Sequence, residues 1–453
     1  MQTKTINAVL FETMSVKKAV LSMSIPMIIG QAITIIYNVA DTFFVGQMNE
    51  PNQVAAVTLA LPLFYFLTAL TNLFGVGGAS MVSRYLGSGE FVQSKRCAAF
   101  CIWTSVGVSL MYGILIFTIR PMLLPMIGAN ADTYQYTYQY IFWTITIGAV
   151  PTVFNPMVAN LIRAEGYSKQ ASFGVAFGGV LNILLDPIFI FTFKMEITGA
   201  AIATMLSAWA ATVYFLLFLY FKRKTTVITL NPKYYSVKKN ISMQTIMIGL
   251  PNFVISFMAT LSNIVLNPLV AAYSNKALAG IGIAKKIDLL AFAIAQGMTQ
   301  GTLPLVSYNY ASGNRSRMMK IIKTTLVYGL IFAFGGMILL LVSASPLSRL
   351  FIADHTTASY SRYFLRVIAL TCPSTTLILL TISVFQATAE KIQPIIISTL
   401  RKGVLDIPLM FILNHFFQVN GLVWAIPLAD LGALIIAIVM FVPFITKLQV
   451  TSA

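Results

Sequence analysis

Long stretches without a single charged residue constrain this chain more than anything else in it. They cover 19–40, 54–83, 97–119, 133–162, 197–221, 240–275, 289–314, 324–348 and 367–389. A helix needs about 20 mostly apolar residues to cross the hydrocarbon core of a bilayer, and each of these runs is long enough. Splitting the remaining stretches at their Gly, Pro and charge breaks raises the expectation to about twelve spans. Only 9% of the 453 residues are charged and 58% are hydrophobic, whereas a soluble domain carries roughly 25% charged residues. The alternating segments of a membrane β-barrel, about ten residues each, are absent. The fold class expected is therefore an all-α membrane protein.

The formal net charge of +17 would suit a nucleic-acid binder if it were clustered, but its placement argues otherwise. With the loops after odd-numbered spans outside, twenty Lys and Arg residues from Lys4 to Lys447 fall inside. Six fall outside: Arg120, Lys194, Lys276, Arg349, Arg362 and Arg366. By the positive-inside rule both termini are expected in the cytoplasm, with the chain crossing the cell membrane many times. The basicity is a topology signal, and no nucleic-acid partner is expected. The N-terminus lacks a short apolar core ending in a small-residue cleavage site, so no cleaved leader is expected. Cys97, Cys101 and Cys372 show no metal or disulfide spacing and read as packing residues.

The chain repeats itself. Val82-Ser83 and Ser88-Gly89 return in the second half, at one common offset, as Val306-Ser307 and Ser312-Gly313. Leu185-Asp186 returns at nearly the same offset as Leu405-Asp406, and Gly199 likewise as Gly421. Six spans per repeat is an even number, so the halves share one orientation and are related by a pseudo-two-fold axis along the membrane normal. The expected organisation is an N-terminal lobe over 1–222, a basic linker over 223–240 and a C-terminal lobe over 241–453. Transporters built this way place their site near the bilayer midplane.

Acids inside apolar spans are expensive and usually mark a route for ions or substrate. Five lie in or near spans: Asp41, Asp186, Asp288, Asp406 and Asp430. Asp288 has Lys285 three positions before it, and Asp406 has Lys402 four before it. Both are expected to be neutralised on their own helix faces. Asp41, Asp186 and Asp430 have no such local partner. Asn182 stands four positions before Asp186, on the same helix face, and Pro187 follows and frees a carbonyl. That face offers the hard oxygens a small cation prefers. Pro26, with Gly30 behind it, reads as a hinge in span 1. Gln31, Tyr37, Asn38, Asn155, Asn263 and Asp288 are candidates for lining a substrate cavity. No nucleophile with its base, metal cluster or phosphate loop is visible, and Gly75-Val-Gly77-Gly78 has no strand before it. The chain is not expected to be an enzyme or to hold a cofactor.

Several motifs together resemble the multidrug and toxic compound extrusion (MATE) transporters over nearly the whole chain. They are Asp41-Thr-Phe-Phe-Val-Gly46, Ser83-Arg-Tyr-Leu-Gly87, Arg163-Ala-Glu-Gly166, Asn182-Ile-Leu-Leu-Asp-Pro187 and Gln386-Ala-Thr-Ala. The resemblance implies two six-helix lobes and export of amphipathic organic cations in exchange for protons or sodium. The pattern is most similar to the DNA-damage-inducible branch. That likeness implies a cation site in the N-lobe, onto which Asp41, Asn182, Asp186 and Thr204 map. The other large bacterial branch uses an acid in span 7, where this chain has none. A flippase for lipid-linked saccharides is the alternative function, kept open by Lys285, Lys286, Arg401 and Lys402. The expected partners are small-molecule drugs or organic cations and the lipid bilayer, with a monomer as the working unit.

Overall fold

The computed structural model describes residues 9–48, 50–352 and 354–450; Lys4 and both chain ends lie outside them. Among the described residues the regular structure is helical throughout, with no strand. The first half of the chain forms α1 (Val16–Gly46), α2 (Pro51–Gly87), α3 (Phe91–Met126), α4 (Tyr134–Ile141), α5 (Ala149–Ala164), α6 (Ser168–Pro187) and α7 (Glu196–Lys222). The second forms α8 (Lys239–Ala271), α9 (Asn275–Ala311), α10 (Arg315–Phe351), α11 (His355–Ala369), α12 (Cys372–Ala387), α13 (Ile392–Thr399) and α14 (Asp406–Val450). Wide π-turns at Phe142–Ile147, Ile188–Thr192 and Leu400–Val404 continue α4, α6 and α13.

The duplicated Ser-Gly pairs are helix stops. Gly89 and Gly313 both adopt positive φ, +79° and +77°, just past the ends of α2 and α9. There a left-handed residue lets the following amide close back onto the helix; the Glu90 amide donates to the Tyr85 carbonyl at 2.7 Å.

Eight helices are long and apolar enough to cross a membrane, and ten if the two bent pairs each count as one span. The apolar run Ile392–Gln449 counts as a single candidate of 58 residues. At 1.5 Å per residue it would reach about 87 Å, nearly three bilayer cores. It breaks at Gln418, whose φ of 52° is not helical, and so supplies two spans. Helix α9 is long enough to cross as well, and its stretch 289–311 carries no charge. Counting both gives twelve.

The chain divides into two compact units, but not at the expected boundaries of 1–222, 223–240 and 241–453. Ile29–Gly249 form the body of the first, and Phe11–Ile28 with Leu250–Ala453 the second. Helices α1 and α8 therefore each serve both units, changing membership just after Pro26 and just before Pro251. Glycines on α2, α8 and α9 supply the physical reason. A methyl group at Gly77 would lie 2.2 Å from the Thr245 carbonyl oxygen, and one at Gly249 would lie 1.8 Å from that of Leu73. In the second unit, a methyl at Gly301 would lie 2.9 Å from the Ser24 backbone, and one at Gly297 2.5 Å from the Ile28 side chain. Gly77 and Gly301 are set apart by the same offset as the two Val-Ser pairs, so the exchange is itself duplicated. Ahead of α1, Arg317 donates to the carbonyls of Phe11 and Met14, both at 2.7 Å, and the Tyr308 hydroxyl donates to Glu12 at 2.6 Å. These bonds hold the N-terminal segment on the second unit. The linker belongs to the first: Trp103 Nε1 donates to the Leu230 carbonyl, and Glu165 accepts from Thr226 and Val227.

Candidate functional site

Helix α6 carries Asn182 and Asp186 one turn apart, and both are buried in the first unit. Asn182 Nδ2 donates to Asp186 Oδ1 at 3.1 Å and to Thr204 Oγ1 of α7 at 3.4 Å. These bonds engage the amide's donor side. Asn182 Oδ1, Asp186 Oδ2 and Asp41 Oδ1 are then left buried with no hydrogen-bond partner. Buried polar atoms in folded proteins are nearly always satisfied. These three oxygen acceptors on α1 and α6 call for a positively charged guest. Helix α1 brings Asp41 toward this part of α6, since a methyl group at Gly179 would lie 2.8 Å from the ring of Tyr37, one turn before Asp41; neighbouring carboxylates are costly to keep charged without a compensating ion. The phenol of Tyr37 feels the charge of Asp41, and that of Tyr140 the charges of both acids. Tyr140, buried at the end of α4, carried no signal in the sequence, because its nearness to Asp41 depends on how α4 packs.

Among the described residues no group of three or more His, Cys, Asp or Glu side chains can hold a metal ion. The donor set here is two carboxylates, an amide oxygen and a hydroxyl. Such hard oxygens suit sodium, and the carboxylates suit a proton equally. The chain continues past Pro187 in a π-turn rather than an α-turn, so the ligand-bearing face of α6 ends where regular hydrogen bonding does.

The candidate cavity residues scatter. Gln31 and Tyr37 are half-buried on α1, and Asn38 is exposed, donating to the Thr34 carbonyl. Asn155 is not available to line a cavity, contrary to expectation. It is buried, donates to the Ala208 carbonyl at 2.7 Å and accepts from Thr212 Oγ1 at 2.8 Å, so α7 consumes it. Asn263 and Asp288 belong to the second unit.

The charge pairing in that second unit also differs from expectation. Lys285 does not pair with Asp288; its ammonium donates to Asn263 Oδ1 on α8 at 2.5 Å. Asp406 does not pair with Lys402 and accepts from Ser262 Oγ at 2.7 Å. Asp430, which lacks a local partner in sequence, is the best-held acid of the five. Arg401 grips it with Nε at 3.0 Å and Nη2 at 2.9 Å, Thr375 donates at 2.8 Å, and Lys402 lies 3.8 Å away. The reason is local geometry. Arg401 and Lys402 sit in the π-turn Leu400–Val404, where four residues fall short of a full turn and the i,i+4 register is lost.

Comparison with known proteins matches two segments, 26–188 and 251–412, to the family model MatE. The paired match repeats the internal duplication. The chain is 29% identical to the multidrug export protein MepA of Staphylococcus saprophyticus over 420 residues, covering 93% of this chain and 92% of MepA. It is 30% identical to MepA of Staphylococcus aureus strain MRSA252 over 421 residues, with the same coverage. An outward-facing multidrug resistance MATE family transporter superposes with a TM-score of 0.89 at 25% identity, over 99% of both chains.

Proposed function

Because this chain belongs to the MatE family, whose relatives above are multidrug exporters and not enzymes, we propose that it is a secondary antiporter. It exports amphipathic organic cations and takes protons or sodium ions in exchange, through Asp41, Asn182, Asp186 and Thr204. The observation that carries this reading is the set of three buried oxygen acceptors without partners on Asp41, Asn182 and Asp186. Among the described residues no base forms an ion pair with either acid. The lobe reaches its low-energy state only when a cation enters, and a cationic drug and a coupling ion then compete for one pair of negative charges. Two guests that relieve the same charge exclude each other, and alternating occupancy becomes exchange once the lobes alternate access.

Helix α1 is the element through which occupancy acts. It carries Asp41 near one end and Pro26 near the other, and Pro26 lies where the helix leaves one unit for the other. A shift at Asp41 is transmitted along one continuous rod to a point already lacking a backbone hydrogen bond. On this reading the termini are cytoplasmic, the unit is a monomer in the cell membrane, and no cofactor takes part. The flippase alternative has no support among the relatives, which are export proteins for drugs.

The test is drug affinity against pH and against sodium for wild type and Asp41→Asn in detergent, alongside dye efflux from vesicles with proton and sodium gradients imposed separately. Linkage is reciprocal: the coupling ion weakens drug binding by the factor with which drug weakens the ion's, on the order of tenfold. Asp41→Asn keeps the shape, loses that ion dependence and loses gradient-driven export. Undiminished ion dependence in Asp41→Asn would refute the assignment.

A further inference from the structure

The outer face of α3 is graded along its length. Trp103 is exposed, and so are Leu110 and Ile114, seven and eleven positions further on. Steps of seven and eleven return to the same side of a helix, so these three form one stripe. The next charged residue after Trp103 is Arg120. At 1.5 Å per residue the rise between the two is about 26 Å, close to the depth of the hydrocarbon core. Trp103 therefore stands at one edge of that core, where indoles collect. Lys95 and Arg96 stand about 11 Å further out, at the level of the lipid headgroups.

The linker is fastened to this end of α3. Trp103 Nε1 donates to the Leu230 carbonyl at 3.2 Å, and Phe100 stacks on Tyr235 with ring centroids 6.4 Å apart. The Lys95 ammonium stands over the ring of Tyr234, 5.5 Å from its centroid. Asn231 caps the short turn Pro232–Tyr234 by accepting from the Lys233 amide at 3.0 Å. Lys233 is exposed on this held segment, and Lys238 and Lys239, also exposed, follow where α8 begins. Among the described residues none of these three, nor Lys95 or Arg96, forms an ion pair. The sequence holds no acid between Glu196 and Asp288, and Glu90, just before α3, accepts from the Ser88 hydroxyl. Among these bases Tyr235 and Val237 are exposed as well, a mixture of charge, phenol and apolar surface that suits the boundary of a bilayer.

Resting on the cytoplasmic orientation proposed above, we propose that segment 230–239 and the first turns of α3 form a binding surface for anionic lipid headgroups of the inner leaflet. That leaflet carries a negative surface potential, and each basic residue held near it contributes about fivefold to association. Lys95, Arg96, Lys233, Lys238 and Lys239 supply the charge, while Tyr235 and Val237 enter the boundary between headgroups and chains. A bias of positive charge toward the cytoplasm requires only that the bases lie on that side. It does not require the segment that carries them to be stacked and hydrogen-bonded along a helix at headgroup depth. The linker leads directly into the part of α8 that belongs to the first unit, so lipid bound here braces that lobe where its chain leaves it.

The experiment uses Trp103 as the reporter, in full-length protein carrying Trp143→Phe, Trp209→Phe and Trp424→Phe and reconstituted in phosphatidylcholine vesicles. Brominated phosphatidylglycerol should quench Trp103 more than brominated phosphatidylcholine at equal mole fraction. The ratio of association constants should be about fivefold or more at low salt and fall toward one at high salt. The triple variant Lys233→Gln, Lys238→Gln and Lys239→Gln should lose most of the preference, and Arg at the same three positions should keep it. Bound-lipid counts by native mass spectrometry on the unsubstituted protein make the same comparison without the Trp replacements. Equal association of the two lipids overturns the proposal, as does an undiminished preference in a monodisperse, helical Gln variant. Displacement of the lipid by millimolar glycerol 3-phosphate would give the surface to a free phosphate and overturn the lipid assignment. Failure of the orientation reads separately, as labelling of Lys224→Cys by a membrane-impermeant thiol reagent outside intact cells, where the three native cysteines are buried.

Discussion

Glu165 should make the docking of the interlobe linker depend on pH, and Glu165→Gln should abolish that dependence. The side chain lies in the turn between α5 and α6 and is fully buried. Oε2 accepts from Thr226 Oγ1 and Oε1 from the Val227 amide, each at 2.5 Å, while the Ile228 amide donates to Thr226 Oγ1 at 3.0 Å. Arg163, two positions before it, directs Nη1 to Asn160 Oδ1 and forms no ion pair with Glu165. Burial, only partly offset by these hydrogen bonds, pushes the carboxyl from 4.5 up to about 7. The acid's folded-state pKa lies above its unfolded one, so its contribution is fully present below pH 4.5. It declines as the pH rises and is gone above about 7, because the docked carboxyl must then give up a proton in a dry site. The raised pKa corresponds to about 3 kcal/mol, at 1.36 kcal/mol per pH unit. In opening equilibrium that is about a hundredfold.

Amide hydrogen exchange of the segment 224–230, corrected for intrinsic chemical rates, reads this directly at pH 5 and pH 8. Wild type should lose protection at the higher pH. Glu165→Gln keeps both contacts, its amide donating to Thr226 and its oxygen accepting from Val227, and should hold its protection at both. At pH 8 the variant should also melt higher. Parallel profiles for the two proteins would refute the reasoning.

Gly249→Ala forces a methyl group to within 1.8 Å of the Leu73 carbonyl oxygen. It should destabilise the protein by several kcal/mol in detergent melts, whereas Gly107→Ala, with nothing within 4 Å, should gain roughly 0.5–1 kcal/mol; equal effects would show the α2–α8 contact to be loose. Asp430→Asn strands the buried charge of Arg401 and should cost about 3–5 kcal/mol, while the apolar double Arg401→Met with Asp430→Leu should recover most of it. A double variant as unstable as the single would assign the loss to packing rather than charge.

The sequence by itself determined whatever depends on position along one dimension. A span is a length of apolar chain, so the crossings were legible, α9 among them through its charge-free stretch 289–311. A duplication is a spacing, so the repeat was legible from Val82-Ser83 and Val306-Ser307, and with it the two-lobe plan. Asp41 and Asp186 stood out because charge is scarce at that depth, and Asn182 because a step of four returns to the same helix face.

Which partner each side chain takes was decided by tertiary structure. Arg401 and Asp430 are 29 residues apart, and the π-turn that swings Arg401 onto Asp430 also removes Lys402 from the register in which it would meet Asp406. Asn155 had the composition of a cavity residue but went to the α7 backbone, since a carbonyl at Ala208 was within reach. The exchange of 11–28 into the second unit had no local cause in α1. It follows from glycines on α9 that admit a neighbouring backbone where any side chain would keep it out, and that complementarity exists only once the helices are packed.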